Sequence, residues 1–227
     1  MRITSYRAAT TWTALAVALA VAGHAYAAPM KPASGEKPSN VTLVKTISGA
    51  KLAIATFAGG CFWTMERAFD GVPGVISAVS GYTGGNEKNP TYDQVSSGST
   101  GHAESVEVRY DPKKITYAKL LDIYWHDIDP TQLNAQACDT GTQYRSAIFV
   151  HDATQMKQAL AYKESLQHSG LFKQSIVTQI VDAGAFYPAE DYHQDFAKRN
   201  AQYYDQYRVG CGRDRRLKAI WGAQAHK

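Results

Sequence analysis

The chain has 227 residues, 44% hydrophobic and 19% charged, with 18 Gly, 8 Pro and 3 Cys. Those proportions are those of an ordinary globular protein and exclude a disordered, collagen-like or disulfide-dense chain. A formal charge of +4 without a long basic run gives no case for nucleic acid as a partner.

Arg2 and Arg7 stand with no acid ahead of the apolar run Ala14–Ala22, and the small-residue site Ala25-Tyr26-Ala27 follows. That order predicts a secretory signal peptide over 1–27. The apolar run falls short of the roughly 20 residues that span a bilayer, so the expectation is export, periplasmic or secreted, with no stable membrane insertion after cleavage. Cleavage after Ala27 leaves 200 of the 227 residues and removes two arginines, taking the charge from +4 to +2. Residues 28–50 are rich in Pro, Ser, Lys and Gly and predict a linker or loosely ordered arm, with too little apolar surface to offset its ordering entropy. Residues 51–227 then form one domain, expected as a monomer.

Leu52–Phe57 predicts a strand ended by Gly59-Gly60, and the spacing of Phe62, Met65, Ala68 and Phe69 predicts a helix opening at or near Cys61. A strand over Val72–Val79 follows, then a long loop from Gly81 to Thr100, of a length that is usually functional. Ala103–Tyr110 alternates, with Glu104, Val106, Val108 and Tyr110 on one face. A helix over Tyr117–His126, a loop to Tyr144, a strand over Ser146–Val150, a helix over Ala153–Gln167 and a strand over Ile176–Val181 complete the pattern. The remainder reads as irregular, with one helix around Asp191–Tyr204. Strands alternating with helices imply an α+β two-layer domain wrapped by long loops.

Cys61 stands at a helix N-terminus behind a Gly-Gly turn, where free backbone N–H groups stabilise a thiolate and lower its pKa. Glu104 shares the inward face of its strand, so its carboxyl should hold its proton unusually well and can serve as a general acid. Tyr82, Tyr92, Asp139, Thr142, Gln143 and Tyr144 bring polar side chains to the two loops. Phe62 and Trp63 face different sides of the helix, so only one can enter a single core and the other is spare for a ligand. The odd cysteine count permits one internal disulfide at most. The absence of a C-x-x-C pair or a zinc-type His/Cys spacing predicts no metal site. Gly210-Cys211-Gly212 reads as a hinge-like tail, its thiol either in a structural disulfide or a mobile partner for Cys61.

Five motifs in one order carry a resemblance. They are Gly60-Cys61-Phe62-Trp63, Gly81-Tyr82 with Gly84-Gly85 and Pro90-Thr91-Tyr92, Gly101-His102-Ala103-Glu104, Gly141-Thr142-Gln143-Tyr144-Arg145-Ser146, and Ala189-Glu190-Asp191-Tyr192-His193-Gln194. From about Ala53 to about Phe196 the chain resembles the peptide methionine sulfoxide reductase A family. The resemblance implies a ferredoxin-like, split βαβ core with a mixed sheet and an irregular C-terminal tail. It implies reduction of the S epimer of methionine sulfoxide, free or in proteins, and so repair of oxidised proteins. In that reading Cys61 is the nucleophile and passes through a sulfenic acid, Glu104 protonates the sulfoxide oxygen, and Tyr92 and Tyr144 hydrogen-bond it. Phe62 and Trp63 wall the methyl pocket, and Asp139 lies beside the site. Cys211 resolves the sulfenic acid through a transient bridge to Cys61, with Cys138 a bystander or an alternative resolving thiol. No cofactor is implied beyond an external dithiol such as a thioredoxin-like protein. Two other classes compete: a papain-like hydrolase pairing Cys61 with His102 or His193, and a non-catalytic redox-sensing module.

Overall fold

The computed structural model describes residues 51–225; the signal peptide and arm expected over 1–50 lie outside the described residues. In chain order the elements are β1 (Ala53–Gly59), α1 (Phe62–Phe69), β2 (Val75–Thr83), α2 (Tyr92–Ser96), β3 (Ala103–Tyr110), α3 (Tyr117–His126), β4 (Ala135–Gln136), β5 (Asp139–Thr140), β6 (Ser146–Val150), α4 (Ala153–His168), β7 (Gln179–Asp182), β8 (Tyr187–Pro188), α5 (Phe196–Arg199), α6 (Ala201–Gly210) and α7 (Arg213–Trp221). Six strands form one mixed sheet in the order β7-β6-β1-β3-β2-β8, in which only β6 and β7 run parallel. The α+β class expected from the pattern is the class observed.

Apolar spacing and side-chain caps place the helices. Thr116 accepts a hydrogen bond from the Lys119 backbone N–H and opens α3; Asp152 does the same for α4 through Gln155. Phe57 of β1 stacks against Phe69 of α1 at 5.2 Å and Tyr124 of α3 at 4.9 Å, so those helices bury one face of the sheet. The inward face of β3 is as expected, with Glu104, Val106, Val108 and Tyr110 all buried; on the other face Arg109 is exposed and Glu107 half-buried, but Ser105 is buried as well.

Several expectations change, among them the strand expected over Ile176–Val181, which runs instead over Gln179–Asp182. The strand expected over Val72–Val79 starts later and runs to Thr83, because Gly81 and Tyr82 pair with Ser105 and Glu104 of β3. Gly81 lies against Phe186 and the Tyr187 carbonyl, where a β-carbon would come within 2.4 and 2.5 Å, so a residue that reads as loop is dictated here by close approach. The long loop also contains α2, opened by a capping box in which Thr91 and Gln94 satisfy each other's backbone N–H groups.

The largest correction concerns the C-terminus, which is helical rather than an irregular tail. Its helices lack a clean apolar stripe because arginines serve as buried anchors. Arg213 keeps only 4% of its side chain exposed, lies 3.4 Å from the buried Asp127 carboxylate, and donates to the Asp127 and Gly59 carbonyls at 2.7 and 2.8 Å. Arg208 bonds Asp214 at 2.6 Å and the Tyr204 hydroxyl at 3.0 Å, and Trp221 Nε1 donates to the Ile128 carbonyl at 2.9 Å. Gly212, at φ 70, is the joint between α6 and α7, so Gly210-Cys211-Gly212 forms the corner between two helices.

Candidate active site

Cys61 is the N-cap residue of α1 and reaches that place through Gly60, whose φ of 84 suits glycine. A β-carbon on Gly60 would come within 2.5 Å of Gln136, so the β4–β5 hairpin packs directly on the turn that carries Cys61. Gln136 in turn is tied down on both sides, accepting from the Asp129 backbone N–H at 2.9 Å and donating to the Asp129 carbonyl at 2.7 Å.

The Cys61 side chain is buried, with 7% of its surface exposed. The Trp63 backbone N–H and the Tyr207 hydroxyl stand close enough to its sulfur to favour the thiolate, and the Cys61 backbone N–H favours the Asp139 carboxylate in the same way. Tyr207 also donates to Asp139 Oδ2 at 2.5 Å. The position is the expected one; the expected low pKa is not. Burial, then the nearby Glu104 and Asp139 carboxyls, push the thiol well above its ordinary range, and the N–H and hydroxyl donors offset only part of that.

Glu104 behaves as its strand position requires. It is buried, and Oε2 accepts the Phe62 backbone N–H at 3.0 Å. Burial raises its pKa from 4.5 to about 8, with Asp139 adding to the rise and the Phe62 N–H opposing it. A carboxyl of that pKa keeps its proton at neutral pH and can give it up during a reaction. Tyr92 opens α2 and Tyr144 ends a short helical turn over Thr142–Tyr144; both phenols are coupled electrostatically to Cys61 and Glu104. Burial raises both phenol pKa values, so each remains an O–H donor. Tyr82 differs, since its hydroxyl is already engaged by Glu190 Oε2 at 2.8 Å.

Phe62 and Trp63 are both buried, against the expectation that one would be spare. The C-terminal segment supplies a second surface for Trp63, which stacks on Phe196 at 3.7 Å and donates from Nε1 to His193 Nδ1 at 3.1 Å. Phe62 instead meets the rings of Tyr82, Tyr92 and His193, at 5.9, 6.5 and 4.9 Å. The result is an aromatic wall beside a buried thiol and a protonated carboxyl.

The structure bonds Cys138 to Cys211, with the sulfurs 2.06 Å apart and the Cα atoms 5.0 Å apart, and leaves Cys61 free. The bridge present pairs Cys211 with Cys138 and is not the expected one between Cys61 and Cys211. The reason is local. Cys138 lies in the two-residue turn of the β4–β5 hairpin, where Ala137 takes φ 54, and Cys211 lies at the α6–α7 corner against it.

Sequence reasoning missed Tyr207 and gave Glu190 and His193 no role in a reductase site. Tyr207 comes from the segment read as irregular. Glu190 accepts both the Tyr82 hydroxyl and the Tyr92 backbone N–H, the latter at 2.9 Å, and so positions α2 over the site. His193 is held by Trp63, and burial lowers its pKa to about 3. His102 lies in a loop, where its ring nitrogens bond the Gly85 N–H and the Glu87 carbonyl. Neither histidine is among the groups that hydrogen-bond Cys61, which removes the base that a papain-like hydrolase needs.

The family model described as Peptide methionine sulfoxide reductase matches residues 53–225. The chain is 51% identical over 172 residues to the peptide methionine sulfoxide reductase MsrA of Bacillus licheniformis, covering 76% of this chain and 95% of the relative. It is 49% identical over 174 residues to the MsrA of Bacillus subtilis, covering 77% and 98%. Among solved structures it is similar to methionine sulfoxide reductase A of Corynebacterium diphtheriae, with a TM-score of 0.62 and 35% identity over 73% of this chain and 83% of that one. Reduced Mxr1 of Saccharomyces cerevisiae gives 0.63 and 35% over 67% and 87%. With the match running through every element that builds the site, the chain belongs to the peptide methionine sulfoxide reductase A family.

Proposed function

We propose that this chain reduces the S epimer of methionine sulfoxide to methionine, free or within oxidised proteins, with Cys61 as nucleophile and Glu104 as general acid. The observation that carries the reading is the buried pair itself: a free Cys61 thiol and the Glu104 carboxyl, which accepts the Phe62 N–H next to Cys61 at 3.0 Å. A sulfoxide is a poor electrophile until its oxygen is protonated or tightly hydrogen-bonded. Cys61 attacks the sulfur, Glu104 gives its proton to the oxygen, and Tyr92 and Tyr144 donate hydrogen bonds to it. The oxygen leaves with Cys61 as a sulfenic acid, methionine departs, and the proton lost by the thiol restores Glu104. Phe62 and Trp63 form the wall that receives the methyl group, and Asp139 lies beside Cys61.

A second thiol, Cys211 or alternatively Cys138, attacks the Cys61 sulfenic sulfur and forms a disulfide as the oxygen leaves in water, and reduction of that disulfide needs an external dithiol of the thioredoxin type. The order β6-β1-β3-β2 of the four central strands supports a split βαβ, ferredoxin-like core. The pattern of residues 1–27 supports export, so the donor would act in the periplasm or outside the cell.

The test uses reduced full-length protein and separated epimers of N-acetylmethionine sulfoxide. N-Acetylmethionine should form from the S epimer only and be lost in Cys61→Ser. Turnover of the R epimer, or activity in the variant, would refute the assignment.

A further inference from the structure

We infer that Glu66 is a positioning residue for the reaction: through the turn at Asp195 it sets where Trp63 stands, and so limits the size of the alkyl group that the site accepts. The inference rests on the reductase reading, in which Trp63 walls the place that receives the methyl group.

Glu66 is three residues beyond Trp63 in α1, and residues so spaced are neighbours on one helix face. It is buried, and its two oxygens hold two different elements. Oε1 accepts the Asp195 backbone N–H at 3.0 Å, and Oε2 accepts the Ser80 hydroxyl of β2 at 2.9 Å. Asp195 has a left-handed φ of 51, uncommon for any residue but glycine, and its turn lies between His193 and Phe196. Both of those residues hold Trp63. His193 Nδ1 accepts from the indole Nε1 at 3.1 Å, and Phe196 stacks on the ring at 3.7 Å. The edge and the face of one indole are therefore held by residues on either side of the N–H that Glu66 bonds.

Gln194 grips the same turn from the sheet. It accepts the Ser80 N–H at 3.0 Å and donates to the Ser80 and Ala189 carbonyls at 2.9 Å each. Glu66 ties the turn instead to α1, the helix that carries Trp63 itself. Lys198 also links Asp70 and Asp195, at 2.8 and 2.9 Å, but its side chain is exposed and such a pair contributes little.

Reach matters here more than charge. Burial raises the Glu66 pKa to about 7; the Asp195 N–H and the Ser80 hydroxyl oppose the rise, and the Asp195 and Asp70 carboxyls add to it. The protonated acid keeps both partners, because the Ser80 hydroxyl can turn from donor to acceptor. A glutamine does the same with its NH₂ group toward Ser80. A shorter or apolar side chain leaves the Asp195 N–H and the Ser80 hydroxyl without that acceptor.

The experiment uses reduced full-length protein with dithiothreitol as reductant. It compares the S epimers of N-acetylmethionine sulfoxide and its S-ethyl homologue through the ratio of their kcat/KM values. An apolar pocket separates substrates that differ by one methylene by about 10–200-fold, and wild type should fall in that range. Glu66→Gln should keep the ratio. Glu66→Met keeps the volume without the acceptors, and Glu66→Asp keeps the charge but is one methylene short. Each should lower the ratio about tenfold, chiefly through a higher KM for the methyl substrate, and either variant alone carries the comparison. Alkylation of Cys61 by iodoacetamide should keep its wild-type rate in every variant, which a general loosening of the fold would not allow. A wild-type ratio near one, an unchanged ratio in Glu66→Met or Glu66→Asp, or a lost ratio in Glu66→Gln would overturn the role of Glu66 and leave the reductase reading intact. Failure of wild type to reduce the methyl sulfoxide would overturn both.

Discussion

Replacing Glu104 by Gln should abolish most of the activity and at the same time stabilise the fold at neutral pH. Gln keeps an acceptor for the Phe62 N–H at 3.0 Å but has no proton to give. General acid catalysis contributes about 10²–10⁴ in rate, or about 3–5 kcal/mol of barrier. The stability effect follows from linkage. The folded pKa is raised from 4.5 to about 8, so the stabilising contribution of the neutral acid is complete below pH 4.5 and is lost as pH rises through 8. At pH 7 the loss is about 3 kcal/mol and at pH 5 about 1 kcal/mol, taking 1.36 kcal/mol per pKa unit. A neutral amide escapes that loss, whereas any cost of packing its NH₂ group is the same at both pH values. The gap in melting temperature between Glu104→Gln and wild type should therefore shift in favour of the variant from pH 5 to pH 7. Single-turnover methionine formation should fall by at least 10²-fold, and the decline of wild-type activity above about pH 8 should be absent from the variant. A pH-independent stability gap, or a rate within about threefold of wild type, would refute the neutral-acid argument.

Tyr207→Phe removes the hydroxyl shared by Cys61 and Asp139. At about 1.5–3 kcal/mol for a bond to a charged group, single-turnover reduction should slow about 10–100-fold, and alkylation of Cys61 should shift to higher pH. Arg213→Met leaves Asp127 with one fewer cation in a buried setting, so urea unfolding should show a loss of about 3 kcal/mol; an unchanged midpoint would contradict the anchor role. Phe196→Ala unstacks Trp63 and should cost about 2 kcal/mol, less than a fully buried Phe because Phe196 is only partly covered. The same variant should raise KM for a methyl sulfoxide with little change in kcat; the opposite split would remove Trp63 from the substrate wall.

How much of this was legible depended on which force placed each element. Apolar spacing specified α3 to the residue, and alternation specified the inward face of β3 with Glu104 on it, because both patterns report burial directly. Gly81 and Tyr82 read as loop residues because pairing with a distant strand outweighed local propensity. The C-terminal helices were obscured for a different reason. Arg208 and Arg213 are buried on Asp127, a partner 81 and 86 residues away, and a charge that will find such a partner looks in sequence like one facing water. Losing those helices also lost Tyr207. The low thiol pKa expected for Cys61 failed because its N-terminal position was visible, whereas the two carboxyls and the aromatic cover that outweigh it came from other elements.

The pairing of the cysteines shows the same limit most sharply. No spacing rule links residues 73 apart, and the motif that contains Cys61 gave every reason to pair it with Cys211. Packing decides otherwise through two adjacent residues. Asp139, next to Cys138, and Tyr207, one turn before Cys211, bond each other at 2.5 Å, and both reach Cys61. That single contact fixes the hairpin and the helix corner together, and with them the two sulfurs. The groups beside the nucleophile are thus also the groups beside the Cys138–Cys211 bridge, so a change at Asp139 or Tyr207 should disturb both the reactivity of Cys61 and the closing of that bridge.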